Sequence, residues 1–346
     1  MLENSLPHKT DLKELGEFGL IDHLTSGIEL HQPSTEKGIG DDAAILNYGG
    51  EKILVTKDLL VESIHFNLTY TPLKHLGYKS AVVNFSDIVA MNGTPRQLLV
   101  GLAVSSRFPL EAIEEFYAGL RLACEKYNVD LIGGDTTSSS SGMFISITVL
   151  GSAEKPVCRN TAQVNDLVCV SGDLGAAYMG LLLLEREKEV FNANPNMQPD
   201  LEGHDYVLER QLKPEARVDI TKLLAKNEIT PTSMIDISDG LASEILHICK
   251  QSNTGCHIYE EKIPIDISTA NLAEEFGIQP AIAALNGGED YELLFTINQK
   301  DFEKISKLKD DIRIIGHITE ASAGCYLIPE NGTAITLQAQ GWDGLK

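Results

Sequence analysis

Apolar residues recur every third position at Leu12, Leu15, Phe18, Ile21 and Leu24, which predicts a helix over about 10–26. A polar stretch, 32–37, leads into Gly-Ile-Gly-Asp-Asp-Ala-Ala-Ile-Leu, and two strands are predicted at 43–48 and 52–61. Residues 72–91 predict a helix that stops at Met91-Asn92-Gly93, where glycine frees the chain to turn. A strand at 98–105 and a helix at 110–127 follow, with Pro109 near the helix start. Strands at 130–132 and 144–151 flank the polar segment GGDTTSSSSG.

The alternation begins afresh near Val157. A strand at 167–171 precedes an Ala/Leu-rich helix to about Lys188, and the Asn- and Pro-rich segment 190–204 reads as a surface loop. Helices are predicted at 214–227, 241–252, 269–277 and 300–308. Strands are predicted at 234–237, 256–263, 291–297, 311–318 and 325–328. Both halves mix strands with helices. The expectation is an α/β fold with α+β character in two domains, 1–153 and 154–346, without a repeat of 20–50 residues.

Charge changes the picture more than length does. Fifty acidic residues against 28 basic ones give a formal net charge of −22 over 346 residues. A nucleic-acid partner is excluded on this ground, because a phosphate backbone needs a basic face. The N-terminus lacks the basic start and apolar run of a secretion signal, and no window reads as a membrane span. The six cysteines are scattered and contain no CxxC, which predicts reduced thiols in a cytoplasmic protein. His247, Cys249, Cys256 and His257 match no common zinc spacing, and packing explains them better.

Familiar phosphate signatures are missing. There is no GxxxxGK[ST] and no protein-kinase motif set, and Gly38–Ala43 fits GxGxxA in the wrong context, before a strand rather than a helix. What stands out is aspartate in glycine-flanked or apolar settings: Asp41-Asp42, Asp58, Asp87, Asp135, Asp236 and Asp239. Taken singly, each reads as a cap, a turn or a solvated acid. Together they suit hard cations, which take carboxylate oxygens and join them to substrate phosphates. Arg159, near the junction of the two halves, is a candidate phosphate clamp.

The motifs GIGDDAA, TKDLLVESIHF, YKSAVVNFSDIVAMNGTP, LIGGDTT, IDISDGL and NGGEDYEL stand here in the order found in the thiamine-monophosphate kinase family, which this sequence resembles from about Gly16 to Trp342. The resemblance implies an aminoimidazole ribonucleotide synthetase-like architecture. Its N-terminal sheet would pair with that of a second copy into a barrel, and its active site would lie between the domains. It implies Mg²⁺-dependent transfer of the ATP γ-phosphoryl group to thiamine monophosphate. By motif, Asp42, Thr56, Lys57, Asp58, Asp87, Asp135, Asp236 and Asp239 are implied at the metals. Gly134, Asp135, Arg159 and Ser238 are implied at ATP, and His65, Glu289 and Trp342 at the thiamine substrate. Lys57 departs from the family's usual small or neutral residue, so a metal contact there would use its backbone carbonyl.

The acceptor phosphate is already mostly ionised at pH 7, its second pKa being about 6, so no general base or phosphoenzyme is expected. Competing expectations are a synthetase of the aminoimidazole ribonucleotide type, a phosphohydrolase, or a metal–nucleotide binding protein without turnover.

Overall fold

The computed structural model describes residues 12–26 and 30–340. Among them, two sheets divide the chain. The first holds β1 (Thr35–Lys37), β2 (Ala44–Asn47), β3 (Lys52–Val61), β4 (Thr94–Val104), β5 (Asp130–Ser138) and β6 (Met143–Ala153), in the order β1-β2-β3-β6-β4-β5. Beside it lie α2 (Leu73–Ala90) and α3 (Leu110–Tyr127), while α1 (Leu12–Thr25) sets Phe18 against His247 of the second half. The second sheet holds β7 (Leu167–Ser171), β8 (Ser233–Asp236), β9 (Thr254–Tyr259), β10 (Leu293–Ile297), β11 (Ile312–Glu320), β12 (Cys325–Ile328) and β13 (Ile335–Thr336). Its order is β13-β12-β9-β11-β7-β10-β8. The helices of this half are α4 (Ala176–Ala193), α5 (Asp205–Leu212), α6 (Val218–Lys226), α7 (Leu241–Ser252), α8 (Ile267–Glu275), α9 (Pro280–Asn286) and α10 (Phe302–Ile305).

The helix α2 is central. Pro72 precedes its first turn, and Gly93 N–H returns to the Ile88 carbonyl at 2.9 Å to close its end. Most of its side chains are buried, including the polar Lys79, Ser80, Asn84 and Ser86. Gly77 and Gly119 let α2 and α3 approach backbone to backbone: a Cβ on either would stand 1.8–1.9 Å from a carbonyl oxygen of the other helix. The largest apolar cluster runs from Leu54, Phe85 and Ile147 of the first half to Met234, Phe295 and Ile312 of the second. The two halves therefore share a core across α2.

The sequence-based elements recur with instructive differences. GGDTT belongs to β5, not to a loop, because its backbone pairs in parallel with β4. Helix α4 runs through Val190 to Ala193, since nothing breaks it before Pro195. The predicted helix at 214–227 begins at Val218, and the short α5 and α9 are additions. The predicted strand at 256–263 is β9 followed by a single helical turn at Glu260–Lys262.

Candidate active site

The site is built where α2, β3, the loop before β2 and the end of β8 meet. On β3 the side chains alternate, so Thr56 and Asp58 share the face toward α2. Asn84 of α2 accepts the Asp58 backbone N–H at 3.1 Å, and Thr56 Oγ1 donates to Asp87 Oδ2 at 2.6 Å. Ser86, one residue before Asp87, donates to Asp236 Oδ2 across the junction between the halves. Asp42, behind the glycines at 38 and 40, is gripped from two sides by Arg159, with Nε to Oδ2 at 3.1 Å and the terminal nitrogen to Oδ1. Carboxylate oxygens of Asp42, Asp87 and Asp236 lie within 4.8 Å of one another.

Three acids so close cannot all ionise cheaply. Burial pushes the Asp42 carboxyl up to about 7; Arg159 pulls it back, and the charges of Asp236 and Asp41 push the same way as burial. Burial, together with the charges of Asp58, Asp236 and Asp42, raises Asp87 well above the carboxylate range. Asp236 is raised by burial against the Ser86 hydrogen bond. An ion of Mg²⁺ type, bonding oxygen at about 2.1 Å, holds ligand oxygens about 2.9–4.2 Å apart, so this hard, all-oxygen group fits one.

The rim comes from the second half. Glu244, in the first turn of α7, is buried; its Oε1 accepts Asp239 N–H at 3.0 Å and the Ser238 hydroxyl at 3.4 Å. Burial and the Asp239 charge raise its pKa well above normal. Glu289 and Tyr291 both hold left-handed backbone, φ 66° and 52°, an uncommon arrangement that marks strain at working sites. Their N–H groups are tied to the Ser238 and Ile237 carbonyls at 2.7 and 2.9 Å. The Glu289 carboxylate meets Lys79 Nζ at 2.9 Å and Gln211 Nε2 at 2.8 Å. Tyr291 is buried, and its phenol is pushed well up by burial and then by the charges of Glu289, Asp58, Asp236 and Asp239. Carboxylates from six segments thus surround one site: Asp42, Asp58, Asp87, Asp236 with Asp239, Glu244 and Glu289.

Comparison with known proteins identifies the family. Residues 40–153 match the AIR synthase related protein N-terminal domain and residues 163–325 its C-terminal domain. The thiamine-monophosphate kinase of Aquifex aeolicus is 38% identical over 82% of this chain and 87% of its own length. That of Bacillus subtilis is 34% identical over 96% of this chain and 100% of its own. The chain belongs to the AIR synthase related family, among the thiamine-monophosphate kinases. A solved structure of AaThiL complexed with AMPPCP and TMP is similar over 97% of this chain and 99% of that one, at a TM-score of 0.82 and 34% identity.

The residues that resemblance to the thiamine-monophosphate kinases singled out divide into three groups. Asp42, Thr56, Asp87, Arg159 and Asp236 are in direct contact or within a few ångström, and Asp58, Ser238, Asp239 and Glu289 surround them. Others stand elsewhere. The Lys57 side chain points to the opposite face of β3 and donates to Ser146, as strand alternation requires. His65 is exposed and holds a turn, its Nδ1 accepting Val61 N–H at 2.9 Å. Gly134 and Asp135 lie on β5, an exposed sheet edge three strands from β3, or about 14 Å at ordinary strand spacing. A single chain therefore leaves them outside the acidic group. Trp342 lies outside the described residues.

Lys79, Asn84, Ser86, Glu244 and Tyr291 were not singled out in the sequence. For three of them a signal existed. The helix at 72–91 is apolar on nearly every side, so Lys79, Asn84 and Ser86 had to be buried with partners. Glu244 gave a weaker sign as an acid in a helix's first turn.

Proposed function

We infer that this chain is an ATP-dependent thiamine-monophosphate kinase. It moves the γ-phosphoryl group of ATP onto the phosphate of thiamine monophosphate, yielding thiamine diphosphate and ADP. The observation that carries the reading is the group Asp42, Asp87 and Asp236, assembled from both halves of a chain closely similar to kinases of this specificity.

The reaction needs alignment and charge neutralisation more than proton transfer. Mg²⁺ held by Asp42, Asp87 and Asp236, with Asp58 and Asp239 at the margin, would supply the neutralising charge for both phosphates. The chain's own residues hold the geometry: Thr56 orients Asp87, Ser86 orients Asp236 and Arg159 orients Asp42. Arg159 and Ser238 line the ATP side. Glu289, His65 and Trp342 are assigned to the thiamine side, where a carboxylate and an aromatic suit the cationic thiazolium.

The division at 153/154 and a homodimer belong to the same reading. All nine residues of β5 are exposed along an edge that pairs with β4 on one side, and Leu131 and Ile132 are among them. A second copy pairing there would cover the apolar positions and bring Asp135 and Gly134 against another chain. A cytoplasmic setting fits the unpaired cysteines, and among the described residues no helix is long and apolar enough to cross a membrane.

The direct test measures ADP release from ATP and Mg²⁺ with and without thiamine monophosphate, products being separated by chromatography. Release that depends on thiamine monophosphate, with matching thiamine diphosphate, is expected. Acceptor-independent release of free phosphate would overturn the reading in favour of a phosphohydrolase. Mass or light-scattering measurement of the intact protein, with Ile132→Lys as comparison, tests the dimer.

A further inference from the structure

Away from the acidic site, three cysteines that are distant in sequence converge. Cys249 lies near the C-terminal end of α7, Cys256 on β9 and Cys325 at the start of β12. Asn253, with φ 54°, ends α7 in the left-handed conformation and turns the chain straight back into β9, which sets Cys256 beside Cys249. β12 then pairs in parallel with β9, placing Cys325 opposite Cys256. The strand starts are held close: Cys256 N–H donates to the Gly324 carbonyl at 3.1 Å, and a Cβ on Gly255 would stand 2.3 Å from that same oxygen.

The three sulfurs lie within 4.8 Å of one another. Cys249 and Cys256 are buried among Ile245, Ile248, Ile258 and Leu327, while Cys325 is half-buried. The remaining cysteines, Cys124, Cys158 and Cys169, join no such group among the described residues. The histidines flanking this stretch of sequence are engaged elsewhere, His247 against the Phe18 ring and His257 against His317 and Tyr326.

We propose that Cys249, Cys256 and Cys325 form a three-thiolate site for a soft d¹⁰ cation, Zn²⁺ or Cu⁺. Sulfur bonds such ions at about 2.3 Å, so three ligands around one ion stand about 3.8–4.0 Å apart, close to the arrangement already present. The all-sulfur set selects against the hard ion that suits the carboxylates. The partial exposure of Cys325 provides an entry path and, for Zn²⁺, room for a water as fourth ligand. Each ligating thiol gives up its proton to solvent, and no electron is transferred. The ion ties the end of α7 to β9 and β12, at the far side of the second sheet from β8.

The full-length protein, reduced and stripped by chelator, is titrated with Zn²⁺ and, anaerobically, with Cu⁺. Excess Mg²⁺ is present to compete at the carboxylates, and bound metal is counted after desalting. One thiophilic ion per chain is expected, and the arm that retains it tells which ion the site takes. Occupancy should slow alkylation of Cys249, Cys256 and Cys325 at least about tenfold while leaving Cys158 unchanged. Cys325→Ser, at the half-buried position, should lose the ion with an unchanged far-ultraviolet circular dichroism spectrum; Cys158→Ser should keep it. Equal metal counts in wild type and in Cys325→Ser would overturn the proposal. So would no retained ion in either arm, or protection that a thiol reductant reverses, which would mean a disulfide instead.

Discussion

Two buried charged clusters lie within a few residues of each other in this protein, and they are built on opposite principles. In the first, Asp42, Asp87 and Asp236 face one another, and Arg159 is the cation that grips one of them. In the second, Glu292 is met at Oε1 by Arg210 at 2.8 Å and at Oε2 by Arg217 and Ser171. Neighbouring Asp290, its carboxyl pushed up to about 7 by burial, is drawn back by Arg210 and accepts the backbone N–H of Gly175 at 2.8 Å. The motif NGGEDYEL supplies acids to both clusters: Glu289 goes to the site, Asp290 and Glu292 to the scaffold. A run of acids in sequence is therefore not one functional unit. Where cations arrive with the fold, the acids hold the structure; where acids outnumber cations, the excess is poised for a cation from solution.

The largest expected effect separates the clusters by sign. Asp87→Asn should lower kcat at saturating Mg²⁺ by about 100-fold or more, since loss of metal binding forfeits several kcal/mol of charge stabilisation. Without divalent ions the same variant should melt at a higher temperature than wild type, because an amide folds into this site without the proton uptake that burial and the neighbouring acids force on Asp87. A lower melting temperature would contradict the account of the first cluster. Glu292→Ala should do the reverse in denaturant titrations. It leaves Arg210 and Arg217 buried without their shared carboxylate, at a cost of about 3–5 kcal/mol.

Ser86→Ala sits between these extremes. It removes the donor to Asp236, and steady-state kinetics should show about a tenfold rise in the Mg²⁺ concentration needed for half activity. An unchanged Mg²⁺ dependence would mean that Ser86 does not position Asp236.

The pH dependence has a definite sign. The Asp42 carboxyl stands near 7 when folded, above its ordinary 3.8, so the folded chain binds the proton more tightly. That contribution is fully present below about 3.8 and is lost as pH rises through about 7. In chelator, thermal melts should therefore show stability falling between about pH 4 and pH 7. Saturating Mg²⁺ should flatten the fall, because it binds the ionised form. Asp290, raised in the same direction, should keep a residual slope that Mg²⁺ does not remove. The smallest effect is expected at Lys57. Lys57→Met should keep stability within about 0.5 kcal/mol of wild type, since the side chain lies on the outer face of β3.

Much of this was legible in the chain. The helices 110–127 and 241–252 and the strands 167–171 and 325–328 coincide with α3, α7, β7 and β12, because period, proline and glycine are local signals. Asp87 and Asp236 were legible through their apolar neighbours and Asp42 through the glycines before it, but the same apolar setting pointed equally to Asp135, which stands on the exposed edge of β5. Lys57 and His65 were not separable from their motif neighbours by order alone: alternation turned one outward, and a tight turn engaged the other. Helices α5 and α9 escaped because eight and seven residues carry too little periodicity to stand above their surroundings.

Local patterning thus determined by itself where most elements lie, that the chain carries an excess of acid, and which aspartates stand in glycine-flanked or apolar settings. The tertiary structure decided which of those acids face each other. It joined Ser86 to Asp236 across 150 positions and Cys325 to Cys256 across two parallel strands, and it gave Glu292 two arginines from a distant segment. The reason is range. Propensity and periodicity act over a few residues, whereas the cost of burying a charge depends on which partners the finished core brings within a few ångström.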